Sequence, residues 1–132
     1  MDARDYLTDI KARLVASAVI ASIRIVEEYA LPDRGYIRVR LELINTDFLE
    51  AAEYFVVEGG QCVTQRYRYQ WMDGAQKTLR QRWDNVEHFP GLPNFPHHVH
   101  VGEESRVESG RSISIIELIA IVERHFNDSD FV

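Results

Sequence analysis

Apolar and polar positions change period several times along this chain, and each change marks an element. Tyr6, Leu7, Ile10 and Leu14 recur at helical spacing, which predicts an amphipathic helix over residues 3–14 with Asp2 as its N-cap. From Val19 to Tyr29 β-branched residues dominate, as a strand requires, and Leu31-Pro32-Asp33-Arg34-Gly35 reads as a turn. Tyr36 to Ile44 alternates cleanly, with Ile37, Val39, Leu41 and Leu43 on one face and Arg38, Arg40 and Glu42 on the other. Asn45-Thr46-Asp47 turns the chain back.

Two long strands, residues 49–58 and 61–72, meet at Gly59-Gly60, the composition that a two-residue hairpin needs for positive φ. That turn predicts a register in which Glu58 opposes Gln61, Val56 opposes Val63 and Glu53 opposes Arg66 as a cross-strand ion pair. It places Tyr54, Val56, Val63, Tyr67, Tyr69 and Trp71 on one face. Ala51, Glu53, Phe55, Cys62, Arg66 and Arg68 take the other. A second hairpin turns at Asp73-Gly74 and returns from Lys77 to Trp83. A two-residue turn sets Arg80 and Arg82 beside Tyr67 and Tyr69; a three-residue loop sets them beside Arg66 and Arg68. His97 to Val101 suits a short last strand. Ser112 to Phe126 suits a helix with Ser114 and Glu117 at capping-box spacing, and residues 127–132 are expected to fray. The resulting fold class is α+β: one domain over residues 1–132, a curved, mostly antiparallel sheet of about five or six strands with an N-terminal and a C-terminal helix.

Composition narrows the function without naming it. At 132 residues, 45% hydrophobic and 27% charged, the chain is an ordinary globular domain. No apolar run approaches the roughly 20 residues of a membrane span, and the charged first turn is unlike a signal peptide, so a cytoplasmic protein with no membrane partner is expected. A lone Cys62 excludes an internal disulfide and a cysteine zinc site. The net charge of −6 works against nucleic acid. Residues 61–82, however, carry Arg66, Arg68, Lys77, Arg80 and Arg82 against Asp73 alone, a local patch suited to phosphate.

The chemistry concentrates further on. Four of five histidines lie within thirteen positions, from His88 to His100, in a segment stiffened by Pro90, Pro93 and Pro96. On a strand His98 and His100 share a face and could grip one ion, with Glu103, Glu104 or His88 as a third ligand. Gly91, His98, His100 and Glu104 approach the first cupin motif, but no second motif follows. Acid–base chemistry needs neither metal nor cofactor: two imidazoles act as base and acid, Arg82 or Arg66 stabilises developing charge, and Asp84 orients a histidine. There is no Gly-x-Ser-x-Gly elbow and no phosphate-cradling glycine loop. Tyr67, Tyr69 and Trp71 read first as core.

The segments Asp5-Tyr6-Leu7, Glu53-Tyr54-Phe55, Tyr67-Arg68-Tyr69-Gln70-Trp71 and Arg82-Trp83-Asp84-Asn85 carry a family resemblance, strongest at Asn94-Phe95-Pro96-His97-His98-Val99-His100-Val101-Gly102. From about residue 5 to 125 the chain resembles the TumE-like family, small prokaryotic toxins of toxin–antitoxin pairs. It departs where the family tends to read Pro-His-His-Pro and this chain has Glu87-His88-Phe89-Pro90. The resemblance implies a cognate antitoxin protein as partner. By analogy with other small toxins it points to an RNA substrate and a ribonuclease. His98 and His100 would then be acid and base, Asp84 the orienter and His88 a reserve, with Arg66, Arg68, Arg82 and Tyr67 contacting substrate. A metal-dependent hydrolase built on His98 and His100, or a non-catalytic binding module, are the alternatives, and a homodimer is a further option.

Overall fold

The computed structural model describes residues 1–129. Helix α1 (Ala3–Ala16) leads into β1 (Ile20–Leu31), β2 (Arg34–Leu43), β3 (Phe48–Glu58), β4 (Gln61–Met72), β5 (Leu79–Asp84), β6 (His98–Val101) and β7 (Val107–Ser109), and α2 (Ile115–Ser129) closes the chain. The strands form one antiparallel sheet in the order of the sequence, β1 to β7. The architecture is the expected α+β sheet with a helix at each end. The strand beyond the predicted six is β7, three residues long, too short for its side-chain alternation to show.

Each helix starts where its first N–H groups find an acceptor. Asp2 caps α1 by accepting from the Asp5 N–H at 2.8 Å. Ser114 and Glu117 form the capping box reciprocally, both backbone bonds at 3.1 Å, so α2 begins at Ile115 rather than at Ser112. It also runs through residues 127–129, where fraying was expected; residues 130–132 lie outside the described part. Among the described residues no helix is long and apolar enough to cross a membrane.

Both helices cover one face of the sheet. Ile10 and Leu14 of α1 and Ile115 and Leu118 of α2 pack with Ile37, Leu41, Phe55 and Tyr69 in a single core. The opposite face of β2 to β6 carries no helix, and there the polar half of the alternation lies: Arg38 and Arg40, Glu50, Arg66 and Arg68, Arg82 and Asp84, His98 and His100.

The Gly59-Gly60 turn forms with both glycines at positive φ, and Glu58–Gln61 and Val56–Val63 pair as expected. The Glu53–Arg66 ion pair does not form. A bulge between the Tyr54 and Phe55 pairs leaves Gln65 without a partner, so Glu53 opposes Tyr67 and Arg66 opposes Tyr54. From the bulge onward β4 has changed faces: Tyr67, Tyr69 and Trp71 join Ala51, Glu53 and Phe55 in the core, while Arg66 and Arg68 stand on the open side.

Glu53, fully buried, is instead the junction of three elements. It accepts from the Tyr6 hydroxyl of α1 (2.7 Å), the Thr64 hydroxyl of β4 (2.8 Å) and the Ile115 N–H that opens α2 (2.8 Å). Burial raises its carboxyl pKa against these three donors, and raises the Tyr6 hydroxyl's as well.

Candidate active site

The second hairpin resolves the parity left open by the sequence. Gln70 opposes Arg82 and Arg68 opposes Asp84, so Arg82 and Asp84 stand on the open face with Arg66 and Arg68. A shift between the Trp71 and Met72 pairs leaves Arg80 outside the ladder, and its guanidinium bonds Asp47 at 3.1 Å. The patch on the open face therefore has three of the four arginines.

The β5–β6 register brings the histidines to the same place. Arg82 opposes His100 and Asp84 opposes His98, so all four side chains project to the open side. His98, His100 and Asp84 are 2, 4 and 3% exposed, yet they line a hollow of about 360 Å³ together with Arg68, Arg82, His88, Phe89 and Glu104. The two imidazole centroids lie 5.1 Å apart, and the Phe89 ring stands edge-on to both, at 5.2 and 6.0 Å. Phe89 reaches this position from a left-handed backbone, φ 60°.

Hydrogen bonding settles the tautomers. His98 Nδ1 lies 3.0 Å from the Pro96 carbonyl and His100 Nδ1 lies 2.8 Å from the Glu104 carbonyl. A carbonyl only accepts, so both rings carry their proton on Nδ1 and keep Nε2 for another partner. For His98 that partner is Asp84 Oδ1 at 2.9 Å. Both nitrogens of His98 thus face acceptors, whereas His100 Nε2 has none among the described residues. Of the two imidazoles expected as acid and base, His98 is engaged at both ring nitrogens and His100 at Nδ1. The ligand atoms of Asp84, His98 and His100 lie within 4.8 Å of one another, close enough to converge on one ion. The carboxylate that joins the two histidines belongs to Asp84, whereas sequence spacing pointed to Glu103, Glu104 or His88 for a third ligand.

Arg82 is held rather than free. Glu104 grips it through both carboxylate oxygens at 2.5 and 2.6 Å, and Asp84 Oδ2 lies 3.4 Å from its Nε. The Glu104 bond raises the Arg82 pKa and lowers that of Glu104. Arg68, by contrast, donates to the neutral Gln70 amide at 3.0 Å, and Arg66 lies 4.8 Å over the Tyr54 ring.

Arg68 and Val86 also line a second hollow of about 530 Å³ on the same face, walled by Tyr29, Tyr36, Tyr54 and Arg66. Tyr29 and Tyr36 stack there at 5.8 Å. These tyrosines were missed by sequence reasoning, although Tyr36 and Tyr54 stand on the polar side of their strands, where an aromatic is a signal.

Tyr67 also borders this second hollow. It is 5% exposed, its ring stacks on Tyr69 in the core, and its hydroxyl donates to the Arg111 carbonyl at 2.9 Å. That hydroxyl's one proton being used, His97 Nδ1 at 3.0 Å is the donor to it. Burial, then the neighbouring His98, lowers the pKa of His97. His88 is exposed at the rim of the hollow that His98 and His100 line, its ring edge-on to Phe89 at 6.0 Å. A family model described as Toxin TumE matches residues 10–128. No curated protein and no solved structure matches the chain.

Proposed function

The chain belongs to the TumE toxin family, and from that premise we propose that it is the toxin of a toxin–antitoxin pair, that it acts on RNA, and that a cognate antitoxin neutralises it. The observation that carries the reading is the meeting, on one helix-free sheet face, of the Asp84–His98–His100 cluster with Arg68 and Arg82. Breaking a phosphodiester requires an activated oxygen nucleophile, a proton for the leaving oxygen and compensation of charge on the phosphorus centre. Arg68, with no carboxylate bonded to it among the described residues, is the phosphate ligand. Arg82, tied to Glu104 and Asp84, fixes the carboxylate and adds charge from behind. The reacting group is built on His98, His100 and Asp84. The tyrosine-walled hollow beside Arg68 takes the adjoining part of the strand, because an aromatic face stacks on any base.

Controlled expression tests this directly. Induction of the wild-type chain is expected to arrest growth, and the purified protein to cleave labelled single-stranded RNA. Replacing His100 by Ala should lower cleavage by about 10²-fold or more and relieve the arrest. Coexpression of the antitoxin encoded beside it should restore growth and yield a stable complex on gel filtration. Growth arrest by a protein that leaves RNA intact would keep the toxin and remove the ribonuclease.

A further inference from the structure

We infer that Asp84, His98 and His100 bind one divalent transition-metal ion of the zinc class, with its remaining coordination positions open to the hollow that Arg68 lines. Two imidazoles and one carboxylate are a borderline donor set. Three protein ligands rather than four are what a site that must also bind water or substrate provides.

The argument is in the atoms around the trio. Each ring spends its Nδ1 proton on a backbone carbonyl, Pro96 for His98 and Glu104 for His100. This is the outer contact that metal-bound histidines make: it fixes the ring plane and turns the Nε2 lone pair outward. Asp84 is treated in the same way. Its Oδ2 faces Arg82 Nε and the Val86 N–H bonds Oδ1 at 3.1 Å, so the carboxylate cannot rotate freely. Both rings are thus held from outside the cluster by carbonyls that leave their Nε2 lone pairs free, and Asp84 is flanked by a donor at each oxygen.

The distances agree. Ligand atoms about 2.0–2.1 Å from a tetrahedral ion lie roughly 3.3 Å from each other. His98 Nε2 and Asp84 Oδ1, at 2.9 Å, are already near that spacing. The trio as a whole, within 4.8 Å, closes to that spacing by an inward movement of at most about 1.5 Å. The ligands come from two adjacent hydrogen-bonded strands, with Asp84 and His98 directly opposite, which is a rigid presentation. Phe89 closes one side with an apolar edge, which keeps competing water from that flank.

The competing arrangement is a proton in place of the ion, making His98 an imidazolium paired with Asp84. It leaves His100 with no purpose for its Nε2, and it buries an ion pair whose upkeep is costly unless every remaining bond is made. The ion site accounts for both rings and the carboxylate at once. It rests on the RNA-acting reading only for what the ion does. With two neutral imidazoles, one carboxylate and a divalent ion, the trio carries one positive charge. A phosphate held by Arg68 would meet it, and water on the ion is the activated oxygen that the reaction needs.

The test uses the full chain, stripped with chelator and titrated with cobalt(II), read by its visible ligand-field absorption, and with zinc by calorimetry. We expect one ion per chain and a rise in melting temperature on adding zinc. Both effects should fall by more than about 100-fold in affinity in H100A and in D84N. H100Q keeps ring-sized bulk and checks that lost binding is not lost folding, which far-UV circular dichroism reads independently. Absence of a cobalt band and of zinc heat, together with two N–H protons on the His98 ring in nitrogen-15 NMR, would overturn the site. Cobalt bound at these residues without action on RNA supports the site and removes only the RNA reading. RNA cleavage by a protein that binds no ion does the reverse.

Discussion

Single side chains in this molecule do work far from their place in the sequence. Glu53 satisfies donors from α1, β4 and α2, so Glu53→Ala leaves three buried groups without their acceptor and should cost about 3 kcal/mol in urea unfolding. Glu53→Gln keeps an acceptor and isolates the charge. The folded pKa of Glu53 is raised by burial, so this group's contribution is full below the unfolded carboxyl range and is lost as pH rises through the raised value. Relative to wild type, the Gln variant should therefore gain stability as pH increases, measured as the difference between urea curves across a pH series. Arg68 is the other residue with a sharp expectation. Arg68→Ala should weaken RNA binding and flatten the plot of log affinity against log salt by about one unit of slope. An unchanged slope would mean that no phosphate sits there.

At the scale of elements, strand pairing obeys local chemistry until a distant side chain intervenes. Gly35 of β2 illustrates a close approach: a Cβ there would stand 2.3 Å from the buried Phe55 ring of β3. Gly35→Ala should destabilise by about 1–3 kcal/mol in the same urea assay, by forcing that ring to move. The alternation of residues 36–44, the Gly59-Gly60 turn and the Ser114–Glu117 box were all legible, because each is set by residues adjacent in sequence. The bulge at Gln65 was not. Its backbone is satisfied by Asn85, whose side-chain oxygen accepts from the Tyr67 N–H at 3.1 Å and whose amide donates to the Gln65 carbonyl at 2.8 Å. No glycine or proline marks the position, and the bonding partner lies twenty residues away. The same limit applies to the cluster. Period-two spacing puts His98 and His100 together, but Asp84 joins them only through the β5–β6 register, which depends on how residues 85–97 fold back. Phe89 had a local hint, a large apolar side chain between His88 and Pro90 in a polar loop.

For the whole molecule, charge and topology set the terms on which the proposed RNA substrate would be met. A net charge of −6 gives no long-range attraction for a polyanion, so the proposed RNA binding rests on the local arginines. Added salt should therefore act mainly by speeding RNA release, with only a small effect on the association rate, as stopped-flow fluorescence can separate. The sheet's order, β1 to β7 along the chain, has a consequence for biosynthesis. Emerging from the ribosome, each strand finds its neighbour already made, so β1 to β5 can pair before residues 98–101 have emerged. A nascent polypeptide that has reached Asp84 has a sheet face and arginines but neither imidazole of the trio. Whatever chemistry the trio carries is therefore assembled only when β6 joins a sheet whose first five strands are already paired.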